Sequence, residues 1–211
     1  MRILLAGATG LVGHHVLQLL LADARCGTLI APTRRPLTIA QRKLENPVLD
    51  FEHLREAAAD WRVDAAICAL GTTIALAGSQ AAFRRVDHDY PLWLAQALRE
   101  HGTPGFVLNS AIGADPDSRV FYTRVKGELE RDLRALRFDT LTLVRPGFIS
   151  GHRDAPRRGE RLAIGVLGAI GPLLPRRWRI NPAPVIARAM TEAAFQHHPG
   201  VHVIDSAQLV A

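Results

Sequence analysis

Arg2-Ile3-Leu4-Leu5-Ala6-Gly7-Ala8-Thr9-Gly10-Leu11-Val12-Gly13 decides the fold: an apolar run of strand length enters three glycines spaced i, i+3 and i+6. A helical apolar pattern follows, carrying Leu11, Val12, Val16, Leu19 and Leu20. The spacing predicts a strand, a tight turn and a helix whose N-terminus faces a pyrophosphate. Gly7 permits the turn, Gly10 lets backbone approach phosphate, and Gly13 lets the helix pack on the strand. A glycine triplet alone is weak evidence, but here strand and helix stand on either side of it, as a dinucleotide site requires.

Outward from this loop, strand and helix patterns alternate, which predicts a parallel sheet covered on both faces. Strands are expected at 2–6, 28–31, 47–50, 64–70, 105–109, 139–144 and 201–204. Helices are expected at 11–24, 52–60, 80–101, 121–136 and 183–197. The expected fold is a single α/β domain over residues 1–211, a Rossmann-type doubly wound sheet in the order 3-2-1-4-5-6. Prolines and glycines thicken after about residue 150. The stretch 151–182 is therefore expected as a loop and short helix forming a lid over the site.

At 211 residues with 48% hydrophobic and 22% charged content, the chain can bury a sizeable core. The net charge of +6 comes with 24 arginines against two lysines, dispersed and without a nucleic-acid-binding motif, so no nucleic-acid partner is expected. Cys26 and Cys68 lack metal-ligand spacing and suggest a reducing compartment, read here as the cytoplasm. The first apolar run breaks into glycines and does not resemble a signal peptide. The longest apolar stretch, Leu162 to Leu174, has 13 residues and is too short to span a bilayer. Nine histidines lie without cysteine or carboxylate at ligand spacing, so no metal is expected. The oligomeric state stays open.

After the second strand, an NAD site carries a carboxylate that accepts from the ribose 2′-hydroxyl. The matching stretch here reads Ala31-Pro32-Thr33-Arg34-Arg35, with no acid. Two guanidiniums suit a 2′-phosphate, so NADP(H) is expected rather than NAD.

Tyr122 and Lys126 lie four apart on a predicted helix, one turn apart on one face. An ammonium nearby stabilises a phenolate, which suits a tyrosine to proton exchange with a carbonyl or alcohol oxygen. The chain has only two tyrosines and two lysines, so the pairing is specific. Ser110 ends the preceding strand, where parallel sheets gather site residues; its hydroxyl could bond the reacting oxygen or simply cap a turn.

The glycine loop, Tyr122/Lys126 and Ser110 together resemble the short-chain dehydrogenase/reductase superfamily in its atypical branch. Cys68-Ala-Leu-Gly-Thr-Thr73, Phe83-Arg-Arg-Val-Asp-His-Asp-Tyr90, Gly113-Ala-Asp115, Tyr122-Thr-Arg-Val-Lys-Gly-Glu128 and Leu143-Val-Arg-Pro-Gly147 are similar to the small oxidoreductases related to human Tat-interacting protein. The resemblance covers about 1–150 and continues loosely through Pro182-Ala-Pro-Val185. It implies an NADP(H) domain in which Tyr122 is the general acid/base, Lys126 holds the nicotinamide ribose and Ser110 orients substrate. It also implies that Thr9 and the backbone of Gly10, Leu11 and Val12 hold pyrophosphate. Leu70, Gly71 and Thr72 would border adenosine and ribose, and Pro146, Phe148 and Ile149 the nicotinamide. Asp50 would lie near the adenine.

Three departures accompany the likeness. The superfamily's helix asparagine has no counterpart, with Asp87 or His88 standing near its place. The Ser110–Tyr122 separation of 12 residues is shorter than in the epimerase-like relatives. A large substrate domain is missing. The expected activity is NADP(H)-dependent hydride transfer to or from a small carbonyl or alcohol; the alternative is an NADPH-binding regulator or redox sensor with little turnover.

Overall fold

The computed structural model describes residues 1–150, 175–196 and 198–210. Seven parallel strands form one sheet. They are β1 (Arg2–Ala6), β2 (Thr28–Ile30), β3 (Leu44–Glu45), β4 (Ala65–Cys68), β5 (Gly105–Asn109), β6 (Thr140–Arg145) and β9 (Gly200–Asp205). Their order is β3-β2-β1-β4-β5-β6-β9, so the expected six-strand order stands and the last strand extends it at the β6 edge. Two short strands, β7 (Ile149–Ser150) and β8 (Asn181–Pro182), pair separately.

Side-chain alternation along the strands builds two cores. Ile3 and Leu5 of β1, Ile67 of β4 and Val107 of β5 face helices α1 (Leu11–Ala22) and α7 (Ala183–Phe195). Leu4 and Ala6, Ala66 and Cys68, and Phe106 and Leu108 face the other layer. That layer holds α2 (Leu54–Ala58), α5 (Tyr90–Glu100) and α6 (Phe121–Ala135). The central strands are buried on both faces, which is why they read as continuous apolar runs. The result is a Rossmann-type doubly wound α/β fold. Its strand order reverses beside β1, between β2 and β4, and that is where the crevice opens.

Two elements differ from expectation. The third strand pairs at Leu44–Glu45, not at 47–50: Leu29 and Ile30 take Leu44 and Glu45 as partners, and only the isolated bridge Thr33–Val48 carries the pairing onward. Pro47 lacks an N–H and contributes only its carbonyl, which accepts from Thr33 N–H at 3.0 Å. The long helix expected over 80–101 contains α4 (Gln80–Arg84), then a five-residue π-helical turn, Arg85–Asp89, before α5. The wide turn carries the consecutive residues Asp87 and His88 inward, 1% and 5% exposed. A short helix, α3 (Ile74–Ala77), joins β4 to α4.

The lid expected over 151–182 lies largely outside the described residues, as does all of Leu162–Leu174. Its end is a 3₁₀ turn at Arg176–Trp178 followed by β8.

Candidate active site

The glycine turn is sterically fixed. Gly7 sits at φ +91°, and a Cβ there would lie 2.6 Å from the carbonyl carbon of Ala69, at the end of β4. A Cβ on Gly13 would lie 2.0 Å from the Gly7 oxygen, so α1 packs against the turn at a distance no side chain permits. Gly10 N–H donates to the Gly7 carbonyl at 2.9 Å, and Gly10 occupies the N-cap of α1 without any side-chain cap. The first amides of a 12-residue helix thus end at an exposed backbone turn of Thr9 and Gly10, the arrangement that receives an anion. Leu11 is half-buried and Val12 packs into the core.

At the end of β2, the segment 31–37 is pinned by Asn46. Its Nδ2 donates to the Ala31 carbonyl at 2.6 Å and to Thr33 Oγ1 at 2.8 Å, and its Oδ1 accepts from Leu37 N–H at 2.8 Å. Arg34 and Arg35 project from this rigid turn, exposed, and neither forms an ion pair among the described residues. No carboxylate stands on the turn itself. Asp50 accepts from Glu52 N–H at 3.1 Å as a helix cap.

Across the crevice, α6 presents Tyr122, Lys126 and Glu130 at successive turns of one face. Burial deepens along that line, from a half-buried Tyr122 to Lys126 and Glu130, each 3% exposed. The Tyr122 ring packs on Phe83, centroids 5.6 Å apart, and its hydroxyl has no hydrogen-bond partner among the described residues. Lys126 Nζ reaches Asp87 Oδ1 at 2.8 Å, with both side chains almost fully buried. Asp87 Oδ2 accepts from Thr72 N–H at 2.7 Å, tying the loop after β4 to the same carboxylate. Burial works to lower the Lys126 pKa, but the Asp87 carboxylate and the nearby Tyr122 oxygen outweigh it, and the ammonium is held above the ordinary lysine value. His88, next on the π turn, bonds Asp89 at 2.9 Å and Asp132 of α6 at 3.0 Å, clamping turn to helix.

Ser110 is placed differently. It is 4% exposed, and its hydroxyl donates to Glu130 Oε1 at 2.5 Å. Arg145, at the end of β6, grips the same carboxylate through Nε at 2.9 Å and a terminal nitrogen at 2.5 Å. The loop 113–116 lies against α6 at Gly127, where a Cβ would fall 2.1 Å from the Asp115 carbonyl carbon. That close approach fixes the Ser110 loop against the helix bearing Tyr122 and Lys126.

The remaining expected residues lie at the carboxyl ends of the central strands. Leu70 is buried, Gly71 is exposed, and a Cβ on Gly71 would lie 3.4 Å from Asp87 Oδ1. Pro146 accepts from Ile112 N–H at 2.8 Å, and Gly147 N–H donates to Asn181 Oδ1 at 2.6 Å. Phe148 is 55% exposed and Ile149 half-buried in β7. Ile74, Leu76 and Val120 are also exposed, in or beside the segments that follow β4 and β5. Asn109 ends β5, and its Oδ1 is buried without a partner among the described residues.

Sequence reasoning left Asp87 unassigned and missed Glu130, Asn46 and Asn109. Glu130 was legible as the third member of a Tyr-x-x-x-Lys-x-x-x-Glu spacing; Asp87 needed the π turn. No group of metal-ligating side chains is found among the described residues, and no helix among them is long and apolar enough to cross a membrane. Cys68 is fully buried and burial pushes its pKa up to about 11, which makes it an inert core thiol.

No family model matches the chain. Protein fmp52, mitochondrial, from Aspergillus niger is 36% identical over 202 residues, covering 91% of this chain and 86% of that protein. Protein HTATIP2 from Rattus norvegicus is 35% identical over 195 residues, covering 89% and 78%. Among solved structures, the Bordetella bronchiseptica enzyme WbmH in complex with NAD+ superposes with a TM-score of 0.72 at 15% identity, covering 97% of this chain and 75% of that one. The cytoplasmic placement expected from the cysteines is overturned by the fungal relatives, whose names are mitochondrial. Free thiols report redox conditions, whereas a cellular address is read by receptors and leaves no mark on the folded domain.

Proposed function

The chain belongs to the atypical short-chain dehydrogenase/reductase family that includes Fmp52 and the Tat-interacting protein, and from that premise we propose that it is an NADP(H)-dependent oxidoreductase acting on a small carbonyl or alcohol. The observation that carries this is one continuous edge of the sheet. It holds the first amides of α1 after Gly7, and beyond the end of β4 the buried Lys126–Asp87 pair beside a Tyr122 hydroxyl that has no hydrogen-bond partner among the described residues.

The residues fit a dinucleotide. Backbone at Thr9 to Val12 would hold the pyrophosphate, in a turn that an added Cβ would fill. Arg34 and Arg35 would take a 2′-phosphate, which favours NADP over NAD. WbmH was solved with NAD+, so this preference belongs to the arginines of this chain. Asn109 Oδ1 offers a buried acceptor at the centre of the edge. When bound, the nicotinamide supplies the hydride acceptor or donor. Tyr122 would move the proton at the substrate oxygen, and Lys126, held charged by Asp87, would bind ribose and keep positive charge beside the phenol. Val120, two residues before Tyr122, and Phe148, after β6, are exposed and apolar, which suits uncharged substrates.

Ser110 favours a second reading, a cofactor-bound regulator with little turnover, because its hydroxyl is already donated to Glu130. A screen of carbonyl compounds separates the two. For an oxidoreductase, some carbonyl drives loss of NADPH absorbance, and Tyr122→Phe abolishes it while NADPH still binds and raises Tm. Full activity in Tyr122→Phe overturns the assignment.

A further inference from the structure

Ser110 has one hydroxyl proton, and Glu130 takes it. The carboxylate is acceptor-only, is 3% exposed, and is gripped on both oxygens by the Arg145 fork, so it cannot turn away or donate in return. Rotating the Ser110 hydroxyl toward the crevice would leave a buried carboxylate oxygen short of a donor, a costly exchange in a dry site. Glu130 stands one turn beyond Lys126 on the face that carries Tyr122, so the acceptor is built into the same helix as the proton donor. What Ser110 Oγ keeps for any further partner is therefore its oxygen lone pairs.

Resting on the oxidoreductase assignment above, we infer that Glu130 is a positioning residue that fixes Ser110 as a hydrogen-bond acceptor, so that the substrate group the serine recognises is a hydroxyl rather than a carbonyl oxygen. The bound alcohol donates its proton toward Ser110 Oγ, and a carbonyl in the same place finds no donor from the serine. Oxidation balances once the alcohol hydroxyl turns its one proton from Ser110 Oγ to the Tyr122 oxygen: the proton would pass to Tyr122 as the alcohol carbon gives hydride to the oxidised cofactor. The selectivity belongs to the ground-state complex and needs no turnover to be seen.

The test uses pairs that bind without reacting: 1-phenylethanol with NADPH-saturated protein, and acetophenone with NADP+-saturated protein, titrated calorimetrically. In the native protein the alcohol should bind more tightly than the ketone. Ser110→Ala should weaken the alcohol on the order of five- to tenfold, the worth of one hydrogen bond, and leave the ketone unchanged. In Glu130→Gln the amide can donate to Ser110 Oγ and free the serine proton, so alcohol affinity should fall while ketone affinity rises. Opposite signs are not what a loosened fold produces. In the Ser110→Ala background, Glu130→Gln should then have no further effect on the ratio. If Glu130→Gln does not fold, Ser110→Ala alone decides. An unchanged alcohol-to-ketone ratio in Ser110→Ala, or no binding of either probe to cofactor-saturated protein, overturns the inference and leaves the cofactor site standing. Failure to bind either cofactor overturns instead the assignment on which it rests.

Discussion

Replacing Asp87 by asparagine should cost far more than an isosteric change suggests. The carboxylate serves two donors, Lys126 Nζ at 2.8 Å and Thr72 N–H at 2.7 Å, with both ionic side chains almost fully buried. An amide has a single oxygen, so one donor is left facing an N–H group. The ammonium then remains buried without its counter-charge, a loss of about 3–5 kcal/mol when one partner of such a pair is removed. Urea denaturation of cofactor-free protein at pH 7 reads this directly. Lys126→Met added to Asp87→Asn should recover much of the loss, because no charge is then buried alone. The pH dependence has a definite sign. Folding raises the Lys126 pKa above the ordinary lysine value of 10.5, so the pair's contribution is complete below that pH and is lost as pH climbs through the folded value. In Asp87→Asn burial acts on the lysine without its carboxylate and lowers its pKa, so that variant gains stability as pH rises. The gap between the two proteins should narrow at alkaline pH. A double variant that loses the sum of the two single losses, or a gap independent of pH, would refute the electrostatic reasoning.

Arg34→Ala and Arg35→Ala should each weaken NADPH binding roughly tenfold and barely alter NADH, since exposed charge-assisted bonds to a phosphate are worth about 1.5 kcal/mol; equal losses for both cofactors in a fluorescence titration would contradict this. Gly13→Ala places a Cβ 2.0 Å from the Gly7 oxygen, so α1 must shift, with at least about 1–3 kcal/mol lost in denaturation and NADPH binding abolished. Asn46→Ala should soften the turn carrying both arginines, losing three hydrogen bonds at 2.6–2.8 Å and weakening NADPH more than NADH. Cys68 should resist alkylation in folded protein, being fully buried with its pKa near 11, and react on unfolding.

Much of this was legible because local pattern and global fold agree. The run from Arg2 to Gly13 contains its own explanation: the strand is apolar on both faces, and each glycine answers to a backbone contact. Tyr122 and Lys126 were legible from a spacing of four. The third strand was misplaced because Leu44–Glu45 is too short to show a period, and its register is set by Leu29 and Ile30 from elsewhere in the chain. Asp87 was hidden for a different reason. The π turn shifts the helix's facing just where Asp87 meets Lys126 and His88 meets Asp132, and no residue of Arg85–Asp89 announces it. Ser110 was expected after its strand, but its bond to Glu130 was not, because Glu130 is held by Arg145, 15 residues further along the chain, and that pairing leaves no local pattern. The cellular compartment was never in the residues that fold.

The most direct test is deuteride transfer. Protein saturated with NADPH deuterated at the nicotinamide C4 would be incubated with a carbonyl panel and the alcohols examined by mass spectrometry. Deuterium should appear on the carbinol carbon of at least one product with the native chain and disappear with Tyr122→Phe, although that variant still binds the cofactor. Deuterium transfer undiminished in Tyr122→Phe, or none from a native protein that demonstrably holds NADPH, would contradict an oxidoreductase built on Tyr122 and Lys126.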